Sequence, residues 1–245
     1  MAGLLSMFRK TKKEKHICSA VVVAAGSARR MEGIDKILTP LGELPVLVHT
    51  LYAFQDHPAI DEVIVVTSQE RLLTVGDLCR QYGLSKVKKI VVGGKERVNS
   101  VQNGLSEVRE DADIIAIHDG ARPLLPAAVL TEVLEKAAVT GAAAPALPIT
   151  DTVKRVADGL AQETVDRSVL FGVQTPQVFD AALIRAATKK ALDEGALLTD
   201  DCSAVERMGM KVSMTTGSKE NLKLTTPYDL MVANAILEAR GRGEL

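Results

Sequence analysis

Five short groups of residues carry side chains suited to phosphate chemistry. The first is Ala24-Ala25-Gly26, followed by Arg29, Arg30 and Met31 and then by Lys36. Small residues let a ligand approach the main chain closely, and arginine offers phosphate oxygens a rigid, permanently charged fork. Such a loop would cradle a polyphosphate. Arg30 and Lys36 would face one phosphate from two sides and stabilise charge building on a phosphorus under attack. The same residues also read as a plain strand–turn–helix with two solvated arginines and a solvated lysine.

The second group is His118-Asp119-Gly120-Ala121-Arg122-Pro123. An aspartate at the end of a strand can hold Mg²⁺ against phosphate oxygens, because magnesium takes one or two protein carboxylates and keeps its waters. Its alternative is a turn or cap residue. His118 reads as structural, since no second histidine is spaced to join it on a metal. The third group is Gly93-Gly94-Lys95-Glu96-Arg97-Val98-Asn99-Ser100. Its glycines allow close approach, its amides and hydroxyl could read a base edge, and Asn99 or Ser100 could cap a following helix. The fourth group combines Asp151-Thr152-Val153-Lys154-Arg155, Asp166-Arg167 and Gln174-Thr175-Pro176-Gln177. These hydroxyls and arginines could grip a second, smaller phosphorylated molecule. The fifth, Asn221-Leu222-Lys223-Leu224-Thr225, supplies one more cation in Lys223. Taken singly, each group also has a purely structural reading.

The elements that must position these groups alternate. Apolar runs of strand length occur at 17–23, 62–67, 87–92, 114–117 and 142–147. Between them, one-sided apolar patterns predict helices at 46–54, 71–82, 100–108 and 127–140. Strands and helices in this rhythm make βαβ units and a largely parallel sheet. The first three groups each follow a strand, at the end where open α/β sheets bind ligands. The rhythm changes after residue 147. Segments 151–156 and 163–165 alternate in the strand manner around Asp158-Gly159, a hairpin turn signal. A hairpin interrupting an α/β domain often protrudes and meets a partner subunit; its alternative is a simple surface hairpin. Helices at 181–192, 202–208 and 228–238 and a strand at 212–215 complete the pattern, with no linker to divide it.

Composition narrows the classes. The 245 residues suffice for one large domain, and a formal net charge of −1 argues against a general nucleic-acid or membrane-surface binder. No apolar run approaches the roughly 20 residues of a membrane span. Three cysteines far apart, Cys18, Cys79 and Cys202, fit a reducing cytoplasm better than a disulfide framework. Residues 1–16 read as a disordered basic extension. Their apolar patch precedes the charges, the reverse of a signal peptide.

In this order and spacing the groups resemble the cytidylyltransferases of the nucleotidyltransferase family, specifically those acting on 2-C-methyl-D-erythritol 4-phosphate. The resemblance covers about residues 18–237 and rests on Ala24-Ala25-Gly26 with Arg30-Met31, Gly93-Gly94 with Glu96-Arg97 and Ser100-Val101, His118 to Pro123, Asp151-Thr152 with Lys154-Arg155, Gln174 to Gln177, and Asn221 with Lys223 and Thr225. It implies an α/β fold, a single Rossmann-like domain over 17–240 with a mostly parallel central sheet and a protruding hairpin arm at about 150–167 that makes a homodimer. It implies CTP as co-substrate and Mg²⁺ as cofactor, the metal on Asp119. Catalytic cations fall on Arg30, Lys36 and Lys223. Cytidine contacts fall on Ala24, Ala25, Gly26, Gly94, Lys95, Ser100 and Gly120. The methylerythritol phosphate site falls on Arg122, Thr152, Arg167, Thr175 and Thr199, with Thr152 and Arg167 delivered by the partner's arm.

The implied reaction is in-line attack of the substrate phosphate on the α-phosphorus of CTP, releasing pyrophosphate. That phosphate carries about −1.5 to −2 charge at neutral pH. It needs no proton abstracted, which matches a sequence without an evident serine–histidine pair or paired carboxylates. Departures from the family pattern occur at Ala28, Asp35, Ile37 and Lys95, where a glycine, proline, glutamine and aspartate are frequent. Two rivals share the features: a ribitol-5-phosphate cytidylyltransferase, and a non-catalytic nucleotide-binding regulator. A nicotinamide oxidoreductase would need a G-x-G-x-x-G turn, and Gly26 is followed instead by Ala28 and Met31.

Overall fold

The computed structural model describes residues 16–26 and 35–244. Strand β1 (Cys18–Val23) is followed by the two-residue strands β2 (Pro40–Leu41) and β3 (Leu44–Pro45), helix α1 (Val46–Gln55), β4 (Glu62–Thr67), α2 (Leu72–Gln81) and β5 (Val87–Val92). Then come α3 (Arg97–Glu107), β6 (Ile114–Asp119), α4 (Ala127–Thr140), β7 (Ala142–Pro148), β8 (Val153–Ala157), β9 (Leu160–Val165), β10 (Phe171–Val173) and β11 (Gln177–Asp180). Helices α5 (Ala181–Asp193) and α6 (Asp201–Glu206), strand β12 (Ser213–Thr216) and helix α7 (Pro227–Gly241) complete the order. Short 3-10 turns precede α2 and β10.

The expected mostly parallel sheet is present. Its order is β10-β7-β11-β6-β1-β4-β5, with β12 on β7. Strands β1, β4, β5 and β6 are mutually parallel, and β12 is parallel to β7. The exceptions are β10 and β11, which run antiparallel to their neighbours. Period-two alternation divides the core. Val21, Ile64, Ile115 and Ile117 meet α3, α5 and α6 on one face. Ala20, Val22, Val63, Val65 and Ala116 meet α1, α2 and α4 on the other. A third cluster under α7 joins Leu41, Val46, Leu124, Leu224 and Ala233.

Within the segment expected as an arm, β8 and β9 form a hairpin that, among the described residues, pairs with no other strand. Asp158 and Gly159 both take positive φ at its turn, 50° and 77°, the pairing demanded by a type I′ hairpin. Its side chains point almost entirely to solvent.

Two local readings need correction, and one element was not anticipated. Helix α3 starts at Arg97 rather than residue 100, because Glu96 is its N-cap: the Glu96 side chain accepts from the Asn99 N–H, and Asn99 returns the bond. Ser100 is therefore helical and is not the cap. Residues 171–180, read only as a binding motif, contain β10 and β11, interrupted at Gln174-Thr175-Pro176. The β2–β3 ribbon at 40–45 carries no periodic pattern and had no counterpart in the sequence reading.

Candidate functional site

Strand β1 lies between β6 and β4, so the chain's connections diverge on its two sides and the strand ends open into a crevice. A cleft of about 380 Å³ occupies that place. Its lining includes Ala24, Ala25 and Gly26 after β1, Lys36, Gly94 to Arg97 and Ser100 at the start of α3, Asp119 at the end of β6, and Lys223. These come from segments up to about 200 residues apart. Arg30 lies outside the described residues.

Main-chain bonds fix the floor. Ala24 N–H donates to Val66 O at 2.7 Å, Gly93 N–H to Thr67 O at 2.8 Å, and Gly120 N–H to Val23 O at 2.9 Å. The glycines are required by close approach. A Cβ on Gly94 would lie 2.3 Å from Asn99 Cβ, and one on Gly120 would lie 2.9 Å from Ala24 Cβ. Gly120 therefore brings β6 against the β1 loop, behind the lining rather than within it. Ser100 Oγ accepts from Gly94 N–H at 3.0 Å and donates to Glu96 O, which ties the glycine turn to its helix.

Asp119 is the electrostatic centre, only 8% exposed. Lys223 Nζ is 2.7 Å from its Oδ2, Arg97 Nη2 is 3.5 Å from Oδ1, and Arg122 Nε is 3.9 Å from Oδ2. Burial alone would raise its pKa, but Arg97, Lys223 and Arg122 together hold the carboxyl well below the usual carboxylate range. Arg97, part of the third group but given no role from sequence, and Asp201, which sequence reasoning missed, are further functional candidates. Arg97 donates to both oxygens of Asp201, at 2.8 and 2.7 Å, in the bidentate geometry that fixes a guanidinium's plane. Burial disfavours the charge on Arg97, but Asp201 keeps it in place. The partners are 104 residues apart, so no motif spacing could reveal them.

Lys223 is placed by its neighbours. Leu224 is buried and its N–H donates to Ala121 O at 2.8 Å. Two residues on, Thr226 and Asp229 close a capping box that starts α7. Lys36 is placed by Ile37, which is buried against the core and whose carbonyl accepts from Leu47 N–H at 2.9 Å.

Thr175 and Arg122 stand behind the cleft. Thr175 Oγ accepts from Asp119 N–H at 3.1 Å and lies 3.0 Å from His118 Nδ1. His118 is fully buried, and burial pushes its pKa down to about 4, so the ring is neutral near pH 7. The consistent tautomer has Nε2–H donating to Arg122 O at 3.2 Å while Nδ1 accepts the Thr175 hydroxyl proton. The structural reading of His118 holds. The Thr175 hydroxyl is committed to the protein on both sides, which makes it a support of Asp119. Arg122 Nη1 donates to Asn221 O at 2.6 Å, while its buried Nε has no hydrogen-bond partner.

Thr152, Arg167 and Thr199 do not line this cleft. Thr152 and Arg167 are exposed at the base of the β8–β9 hairpin, where Arg167 bonds to Thr150 O. Thr199 is exposed just before Asp200, the N-cap of α6.

Comparison with known proteins shows the family and the fold. The model of the 2-C-methyl-D-erythritol 4-phosphate cytidylyltransferase family matches residues 18–239. A protein of that name from Alkaliphilus metalliredigens is 43% identical over 229 residues, 92% of this chain and 95% of the relative. One from Halalkalibacterium halodurans is 44% identical over 225 residues, 91% and 98% of the two chains. The crystal structure of 4-diphosphocytidyl-2C-methyl-D-erythritol synthase from Anaerococcus prevotii superposes with a TM-score of 0.80 at 29% identity, covering 91% of this chain and 99% of that one. The 2-C-methyl-D-erythritol 4-phosphate cytidylyltransferase of Thermus thermophilus gives 0.74 at 30% identity, covering 89% and 98%.

Proposed function

The chain belongs to the 2-C-methyl-D-erythritol 4-phosphate cytidylyltransferase family, and we infer from that premise that it transfers the cytidylyl group of CTP to 2-C-methyl-D-erythritol 4-phosphate. One observation carries the reading at the level of chemistry: Lys36, Lys95, Arg97 and Lys223 gather with a single ionised aspartate in one glycine-edged cleft. A phosphate oxygen of the alcohol phosphate forms a bond to the α-phosphorus of CTP. The bond from that phosphorus to the bridging oxygen breaks, and its electron pair leaves with pyrophosphate. No proton need move. The barrier lies in bringing two polyanions together, so positioning and fixed positive charge supply the catalysis. In this reading Lys36 and Lys223, which line the cleft, neutralise the phosphates, with Arg30 assigned to the same task by the family resemblance. On the same reading Gly94, Lys95 and Ser100 meet the base, and the absence of a Cβ at Gly94 lets the glycine turn pack against Asn99 at the start of α3.

The donor set suits Mg²⁺ that arrives with CTP. Among the described residues no group of three or more metal-ligating side chains exists. Magnesium often rests on one or two carboxylates and substrate phosphates. Asp119 would hold it, and the ion would supply charge neutralisation along the triphosphate. Glu96, the other acid of the lining, is engaged in its helix cap. No described helix is long and apolar enough to cross a membrane.

The arm supports a homodimer. Val156 and Leu160 on it are 58% and 68% exposed, and Val169 and Phe171 beside it are 72% and 50% exposed. In this arrangement Thr152 and Arg167 belong to the partner's site. Equal mixing of Lys36→Ala and Arg167→Ala protomers should then restore about a quarter of wild-type turnover. Random exchange makes half the dimers mixed, and each mixed dimer has one intact site of two. A mixture no more active than its parts removes the shared site.

The reaction is tested by pyrophosphate release with CTP and Mg²⁺, offering methylerythritol phosphate and ribitol 5-phosphate separately. Release with methylerythritol phosphate is the expected result. Release only with ribitol 5-phosphate would transfer the chain to the sister activity. Binding of CTP without turnover of either would favour a regulator.

A further inference from the structure

We propose that Arg71 is a positioning residue for Lys36, holding together the two flanks of the phosphate loop from outside the cleft. Arg71 ends the 3-10 turn after β4 and is absent from the cleft lining. Its side chain is 14% exposed. Its Nε donates to Asp35 Oδ2 at 2.6 Å, and its Nη1 donates to Ala24 O at 3.3 Å and Gly26 O at 3.4 Å. One planar guanidinium therefore joins the end of the β1 segment to the residue just before Lys36.

Asp35 passes the constraint on. Its Oδ1 accepts from Ile37 N–H at 3.3 Å, and its carbonyl accepts from Leu38 N–H, Thr39 N–H and the Thr39 hydroxyl at 2.9–3.0 Å. Lys36 is enclosed in that turn, with Asp35 gripped on one side and Ile37 buried on the other. The Arg71 ion pair holds the Asp35 carboxylate against the end of the β1 segment. Without Arg71, the Asp35 carboxylate would face the Ala24 and Gly26 carbonyl oxygens unshielded, and like partial charges would part the flanks. A displacement of about 1 Å in a group that contacts reacting atoms costs on the order of 10²-fold in rate.

This inference rests on Lys36 acting at the transferring phosphate. The test is a double-mutant cycle with Arg71→Ala, Lys36→Ala and both, reading kcat, the KM for each substrate and the melting temperature. Arg71→Ala should lower kcat by roughly 10- to 100-fold with the KM for methylerythritol phosphate within about twofold. It should cause no further loss when Lys36 is already alanine. If Lys36→Ala is impaired but the Arg71 effect is absent or simply multiplies, Arg71 does not act through Lys36 and the inference falls alone. If Lys36→Ala keeps wild-type turnover, the reading of Lys36 falls and takes the inference with it. Should Arg71→Ala fail to fold, Asp35→Asn, which keeps the turn acceptor and removes the charge, carries the same cycle with the same outcomes.

Discussion

Lys36→Ala should lower kcat by about 10²- to 10³-fold while CTP still binds measurably. The range follows from deleting one preorganised charge that faces developing phosphate charge, worth about 3–4 kcal/mol in a water-poor site. Ground-state binding falls less, because Lys95, Arg97 and Lys223 line the same cleft and continue to attract the triphosphate. Folding is unaffected in this expectation, since Ile37 and the Asp35 turn anchor the backbone there. Single-turnover rates with saturating CTP separate the two effects. A variant within about threefold of wild type would place Lys36 outside the mechanism.

Asp119→Asn should cost about three orders of magnitude in turnover, because several kcal/mol of charge stabilisation depend on that anion. The substitution is nearly isosteric, so shape is kept while the charge is removed and one acceptor oxygen becomes a donor. Two consequences follow. The anchor proposed for Mg²⁺ loses its charge, so raising the metal concentration should recover only a small part of the loss. Lys223 and Arg122 also lose their shared counter-ion at 2.7 and 3.9 Å, whereas Arg97 retains Asp201. The free protein should melt at a lower temperature, and CTP should raise that temperature more than in wild type by returning negative charge to the cleft. Turnover within tenfold of wild type would show that Asp119 neither anchors a metal nor organises the cations.

The alternating βαβ rhythm was legible because its strands are long apolar runs and its helices carry one-sided stripes. Helix α4 was found to the residue, as were β4 and β5. Strands β10 and β11 were not, since three- and four-residue runs broken at Pro176 give no periodic signal. The start of α3 was misplaced because its first turn is polar and glutamate is an uncommon cap. In the site, small residues and cations following strand ends announced themselves, and Ala24 to Gly26, Lys36, Gly94, Lys95, Ser100, Asp119 and Lys223 share one cleft. What sequence could not display were partnerships across long separations. Arg97 with Asp201 and Arg71 with Asp35 are ordinary surface-type charges until folding pairs them. Thr175 was visible as part of a motif, but its place beneath Asp119 depends on the antiparallel return of β11 beside β6.

The central position of β1 has a consequence for how the chain reaches its working state. Cys18 pairs with Ile114, and Ser19 with Glu62, so the strand that carries the phosphate loop is held only by segments distant in sequence. Helices can form early from local contacts, but parallel pairing must first close long loops and is slow. The cleft has no local precursor: no fragment lacking residues 18–26 or ending before residue 223 contains its walls. Enzymatic competence thus requires segments from residue 18 to residue 223 to come together, and its return during refolding reports long-range pairing rather than local structure.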